Sequence, residues 1–138
     1  MYEVSVEGRF AAAHRLRGYP GDCERLHGHN WRVRAVVRAG ELDALGMAVD
    51  FRALKAALGA ILDEFDHRYL NQDVPALAEG GLNPTTENLA RLVAEKLAAP
   101  GRLPAGAEVA RVTVWESPGC SATFRNDRDA GQKPGSRK

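Results

Sequence analysis

The sequence predicts an α+β domain built on a mainly antiparallel sheet. Two observations carry that prediction. Segments of period two and segments of period 3.6 follow one another as strand, strand, helix, helix, strand, strand, not as the strict alternation a parallel sheet needs. The 138-residue chain is also long enough for one domain with a real core, and its 44% apolar and 27% charged content is ordinary for a globular protein.

Tyr2 to Glu7 alternates apolar and polar, and the alternation carries on through Phe10, Ala12 and His14. This is the first strand. Arg17 to Gly28 holds Gly, Pro and Asp and reads as a loop. Trp31, Val33, Ala35 and Val37 recur every second residue opposite Arg32, Arg34 and Arg38, which gives a second strand starting near His27. Asp50 can cap a helix whose apolar face is Phe51, Leu54, Leu58, Ile61, Leu62 and Phe65. A loop is expected from about Asp66 to Pro84. Thr85 or Thr86 caps a second helix with the stripe Leu89, Leu92, Val93 and Leu97, which Pro100, Gly101 and Pro104 end. Val109 to Glu116 alternates again, and Ala122 to Phe124 is a short last strand. Residues 1–125 form the predicted domain. Residues 126–138 are polar, with Gly131, Pro134 and Gly135, and read as a disordered tail.

Nineteen basic and eighteen acidic side chains leave a net charge of +1, so no whole-molecule field draws nucleic acid or a membrane surface. Two cysteines, Cys23 and Cys120, are too few for a disulfide framework, and free thiols in a reducing cytoplasm are expected. Cys120 reads as a small buried apolar residue. No signal-peptide pattern opens the chain, and no apolar run approaches the ~20 residues of a membrane helix.

The chemistry concentrates in "CERLHGHNW", residues 23–31. His27 and His29 are two apart on a predicted strand, so both point to one face, ~7 Å apart at the backbone. His14 ends the neighbouring strand and can lie beside them. Three neutral imidazoles on Zn²⁺ leave one tetrahedral position open, the pattern of catalytic zinc. Cys23 has two readings: a fourth ligand in a closed structural site, or a free thiolate whose pKa a nearby cation lowers. Spacing alone does not choose between them.

Asp66-His67 can form an acid/base unit, the carboxylate fixing the imidazole tautomer. The plain alternative is a histidine facing the C-terminal dipole of the first helix. Glu116 ends an otherwise apolar strand. It is either an exposed strand end or a carboxylate placed to accept two parallel hydrogen bonds from an amidine-like N–H pair.

Six stretches then carry a family resemblance: "FAAAHRL" (10–16), "CERLHGHNW" (23–31), "GMAVDF" (46–51), "DHRYLN" (66–71), "PTTENLA" (84–90) and "VWES" (114–117). In this order they resemble the family of 6-pyruvoyltetrahydropterin and 6-carboxytetrahydropterin synthases, from Tyr2 to Phe124. The resemblance implies a tunnelling fold, with a four-stranded antiparallel sheet and two helices on one face. It implies trimers that close into a barrel and stack as homohexamers with active sites between subunits. It implies zinc on His14, His27 and His29, Cys23 as a catalytic thiol that is not a ligand, Asp66 and His67 as acid/base pair, and Glu116 as the pterin anchor. Thr86, Arg25 and Glu24 are further candidates for substrate contact. The expected reaction converts 7,8-dihydroneopterin triphosphate into 6-carboxytetrahydropterin, acetaldehyde and triphosphate, towards queuosine and other deazapurines.

Cys-x-x-x-His-Gly-His fits carboxypterin-forming members, whereas pyruvoyl-forming members resemble a longer gap. Glu24, separated from His27 by Arg25 and Leu26, is either an incidental solvated loop residue or a match to a folate-branch subgroup that forms 6-hydroxymethyl-dihydropterin. A bifunctional enzyme with Glu24 as second base is therefore an alternative, as is a pyruvoyltetrahydropterin synthase. A non-catalytic zinc-stabilised oligomerisation module and a zinc hydratase or hydrolase are the readings outside the family. The departure from the family pattern is Ala48, where Val is common.

Overall fold

The computed structural model describes residues 1–21 and 25–127. Its sheet is formed by β1 (Tyr2–His14), β2 (His27–Ala39), β3 (Arg68–Tyr69), β4 (Ala107–Ser117) and β5 (Cys120–Arg125) in the order β3-β1-β2-β4-β5. The four long strands are antiparallel to their neighbours, as expected. Two-residue β3 adds a parallel edge to β1. Helices α1 (Phe51–Leu62) and α3 (Thr86–Leu97) carry the core, with a single turn α2 (Leu70–Asp73) and a 3₁₀ turn (Pro75–Leu77) between them. No helix among the described residues is long and apolar enough to cross a membrane.

Period two decides which face is wet. Phe10, Ala12, Trp31, Val33, Ala35, Val37, Val112 and Val114 are buried against the helices, and each fully buried large side chain stabilises by about 1.5–3 kcal/mol. The other face carries Glu7, Arg32, Arg34 and Trp115, with the Arg32 guanidinium 3.8 Å from the Trp115 ring centroid, a cation–π contact. Helix α1 lies close to β1 because Gly8 has no side chain: a Cβ there would come within 2.7 Å of Leu62 Cδ1. The Asp50 carboxylate caps α1 through the Arg52 N–H, and Thr85, of the two threonines, caps α3 through the Asn88 N–H.

Three expectations change. Phe51 is 59% exposed: it is the first residue of α1, and the buried face of that helix is Leu54, Leu58, Ile61 and Leu62. Cys120 is exposed rather than buried, because it opens β5 directly after the Pro118-Gly119 turn. The expected loop from Asp66 to Pro84 contains β3, α2 and the 3₁₀ turn. Of the predicted tail, Asn126 still donates to the Ala110 carbonyl at 2.9 Å, and residues 128–138 lie outside the described residues.

Candidate active site at one end of the sheet

The β1–β2 register pairs His14 with His27 and Ala12 with His29. Antiparallel partners share a face, so all three imidazoles continue the core face past its last apolar layer. Their ring centroids lie 4.5 Å (His14–His27), 5.3 Å (His14–His29) and 4.8 Å (His27–His29) apart. Trp31 forms the floor, 4.9 Å from His14 and 5.3 Å from His29, its indole N–H held by the Ala12 carbonyl at 3.2 Å.

Backbone carbonyls orient two of the rings. Nδ1 of His14 donates to the Pro84 carbonyl at 2.7 Å, and Nδ1 of His27 donates to the Arg25 carbonyl at 2.7 Å. Each bond leaves Nε2 with a free lone pair, the form a metal ligand needs. Burial lowers the pKa of His14 and of His29, which keeps both neutral. Side-chain amides hold the chain that follows His14. Asn71 bonds both the N–H and the carbonyl of Arg15 at 2.8 Å, and Asn83 bonds those of Arg17 at 2.9 and 3.1 Å. These bonds replace the ladder that β1 gives up at its end.

Glu116 reaches the same point from β4. Along β4–β5, Trp115 pairs with Ser121 and Ser117 with Cys120, so Glu116 is the extra residue of a bulge. Bulges re-aim side chains. Glu116 Oε1 lies 3.5 Å from Nε2 of His14 and 3.6 Å from Nε2 of His29. One donor atom from each of His14, His27, His29 and Glu116 lies within 4.8 Å of all the others. Among the described residues, Nε2 of His14 and of His29 are buried without a hydrogen-bond partner. Such orphaned acceptors, gathered on one point, fit a divalent cation.

The Asp66-His67 pair is built on Ala11. Asp66 Oδ1 accepts from the Ala11 N–H at 2.9 Å, and the His67 N–H donates to the Ala11 carbonyl at 2.6 Å. His67 holds φ of +57°, a left-handed conformation uncommon for a side-chain-bearing residue. That backbone turn brings its Nδ1 to 3.0 Å from Asp66 Oδ2. The Ala11 N–H, then the His67 ring, depress the Asp66 pKa. The ring is thus bonded to its neighbouring carboxylate, with Nε2 left free.

An open cavity of about 770 Å³ joins the two clusters within one chain, lined by His29 and Glu116 on one side, His67, Arg68 and Tyr69 on the other, and Ala11, Ala13 and Gly28 between them. Arg25 is exposed and contributes its carbonyl to His27, while Thr86 is half-buried on the first turn of α3; neither lines that cavity. Cys23 and Glu24 lie outside the described residues. Sequence reasoning missed the Pro84 carbonyl and the backbone of Ala11, since neither has a side-chain signature. It also missed Asn71 and Asn83, whose only signal is an amide next to each functional loop.

A family model described as 6-pyruvoyl tetrahydropterin synthase matches residues 3–127. The 6-carboxy-5,6,7,8-tetrahydropterin synthase of Synechocystis sp. is 37% identical over 106 residues, covering 73% of this chain and 78% of the relative. The dihydroneopterin monophosphate aldolase of Pyrococcus furiosus is 35% identical over 113 residues, covering 82% of this chain and 88% of the relative. The structure of Caenorhabditis elegans 6-pyruvoyl tetrahydropterin synthase superposes with a TM-score of 0.76 at 32% identity, covering 91% of this chain and 97% of that one.

Proposed function

The chain belongs to the 6-pyruvoyl tetrahydropterin synthase family, and from that premise we propose that it is a zinc-dependent 6-carboxytetrahydropterin synthase. The substrate is 7,8-dihydroneopterin triphosphate, and with water it yields 6-carboxytetrahydropterin, acetaldehyde and triphosphate. One observation carries the reading: a single cavity runs from the His29–Glu116 wall to His67. A substrate with a flat ring and a hydroxylated arm needs such a joined pair of stations.

His14, His27 and His29 would hold the ion, which when bound acts as a Lewis acid on the hydroxyls of the arm. The Glu116 carboxylate accepts two hydrogen bonds from the ring N3–H and exocyclic amine. His67 Nε2 takes or returns a proton, and Asp66 holds Nδ1–H and stabilises the imidazolium that forms. Cys23 is assigned the second proton acceptor through the family motif. Thr86, Arg25 and Glu24 keep the lesser assignment of substrate contacts. Assembly as a homohexamer, which the family resemblance implies, suits the free outer edges of β5 and of the first part of β1.

The deciding experiment incubates protein of measured zinc content with the triphosphate substrate and identifies the products. Carboxypterin and acetaldehyde in equal amounts are expected; no turnover of this substrate would end the reading. The Pyrococcus furiosus aldolase relative favours a second reading, in which Glu24 acts as a base and 6-hydroxymethyl-dihydropterin also forms. The same product analysis separates the two. Cys23→Ala should keep zinc and near-native stability and lose turnover. Loss of zinc with melting would favour the closed structural site instead.

A further inference from the structure

Glu116 stands at a junction: its carboxylate belongs both to the histidine cluster and to the cavity wall. We propose that Glu116 is an exchangeable ligand, binding the metal as its fourth donor in the substrate-free protein and leaving it for the N–H pair of the arriving ring. The proposal rests on the pterin reading and adds what opens the metal.

The distances point to ligation. Oε1 is nearly equidistant from Nε2 of His14 and of His29, at 3.5 and 3.6 Å. A tetrahedral ion with bonds of ~2.1 Å places its donors ~3.4 Å apart. Hydrogen bonding does not explain the approach. His14 carries its ring proton on Nδ1, where Pro84 takes it, so Nε2 presents a lone pair towards a carboxylate oxygen. Two acceptors facing each other repel unless a cation lies between them. Both Nε2 atoms are buried and, among the described residues, otherwise without a partner.

Exchange is equally legible. Glu116 is the bulged residue of β4, past the last β2–β4 pair at Trp115, and its side chain is 30% exposed. With all four donors in place a tetrahedral ion has no vacant position. Two parallel hydrogen bonds to the ring engage both carboxylate oxygens and so compete with the ion for Oε1. Binding of the ring therefore clears the position that the hydroxylated arm needs, and ordered binding follows from one shared side chain. A ring that lacks the arm must then weaken metal binding by the same factor as the metal weakens binding of that ring.

Zinc affinity is measured by chelator competition on wild type and on Glu116→Gln, each without ligand and with 6-unsubstituted pterin. Cobalt-substituted protein reports coordination by its visible spectrum. Without ligand, Glu116→Gln should bind zinc on the order of 10- to 100-fold more weakly, while the melting temperature of the metal-free protein stays close to wild type. Pterin should weaken zinc binding and change the cobalt spectrum in wild type, and do neither in the variant. Equal zinc affinity and equal spectra in both proteins, with pterin still bound by wild type, would overturn the exchange and leave the pterin reading standing. If wild type binds no pterin, both fall.

Discussion

His14 shows how much one side chain is asked to do. It is fully buried, it holds the Pro84 carbonyl, and its other nitrogen faces the metal cluster. His14→Ala should abolish stoichiometric zinc, read by elemental analysis. It should also cost the metal-free protein roughly 1–3 kcal/mol in urea unfolding, because the buried Pro84 carbonyl loses its donor. Asp66 gives a pH test. Its folded pKa lies below the ordinary 3.8, so its stabilising effect is complete above that value and is lost as pH falls through the lower folded one. As pH falls below about 3.8, the urea midpoint of wild type should fall more steeply than that of Asp66→Asn, and the two curves should converge at the acid end. Parallel curves would deny the Ala11 bond its role. The clustering of the three histidines was legible because residues two apart on a strand share a face. Alternation also put Glu116 on the face of Val112 and Val114, but not its reach to His14 and His29, since the pairing of distant strands leaves no mark on local sequence.

Among the elements, the glycines separate packing from function. Gly8→Ala drives a Cβ into Leu62 and should destabilise by about 1–3 kcal/mol as α1 is pushed outward. Among the described residues, Gly28→Ala meets only the Ala12 carbonyl, at 3.8 Å, so its unfolding curve should match wild type while pterin binding weakens, since Gly28 lines the cavity. Denaturant curves beside ring-binding titrations check both. The long strands and both main helices were readable from period alone, because each packs one face against a single layer. Element β3 was not: two residues are too few to show a period, and only their pairing with Ala12 and Ala13 makes them a strand. The exposure of Phe51 was equally hidden, for periodicity gives a helix its face but not where along the helix that face begins to be covered.

At the scale of the molecule, the described chain leaves two long strand edges unpaired, on β5 and on β1 before Ala11. Sedimentation of the full chain should therefore give a mass above one subunit, six under the assembly proposed here. A purely monomeric species at micromolar concentration would count against it. The bonds at Ala11 set a limit on any such joining. Asp66 and His67 consume both backbone polar groups of that residue, and β3 covers the two after it. A neighbouring strand that zips onto β1 can run no further than Phe10, so the Asp66-His67 pair also acts as a stopper, and whatever docks there must halt at the rim of the cavity.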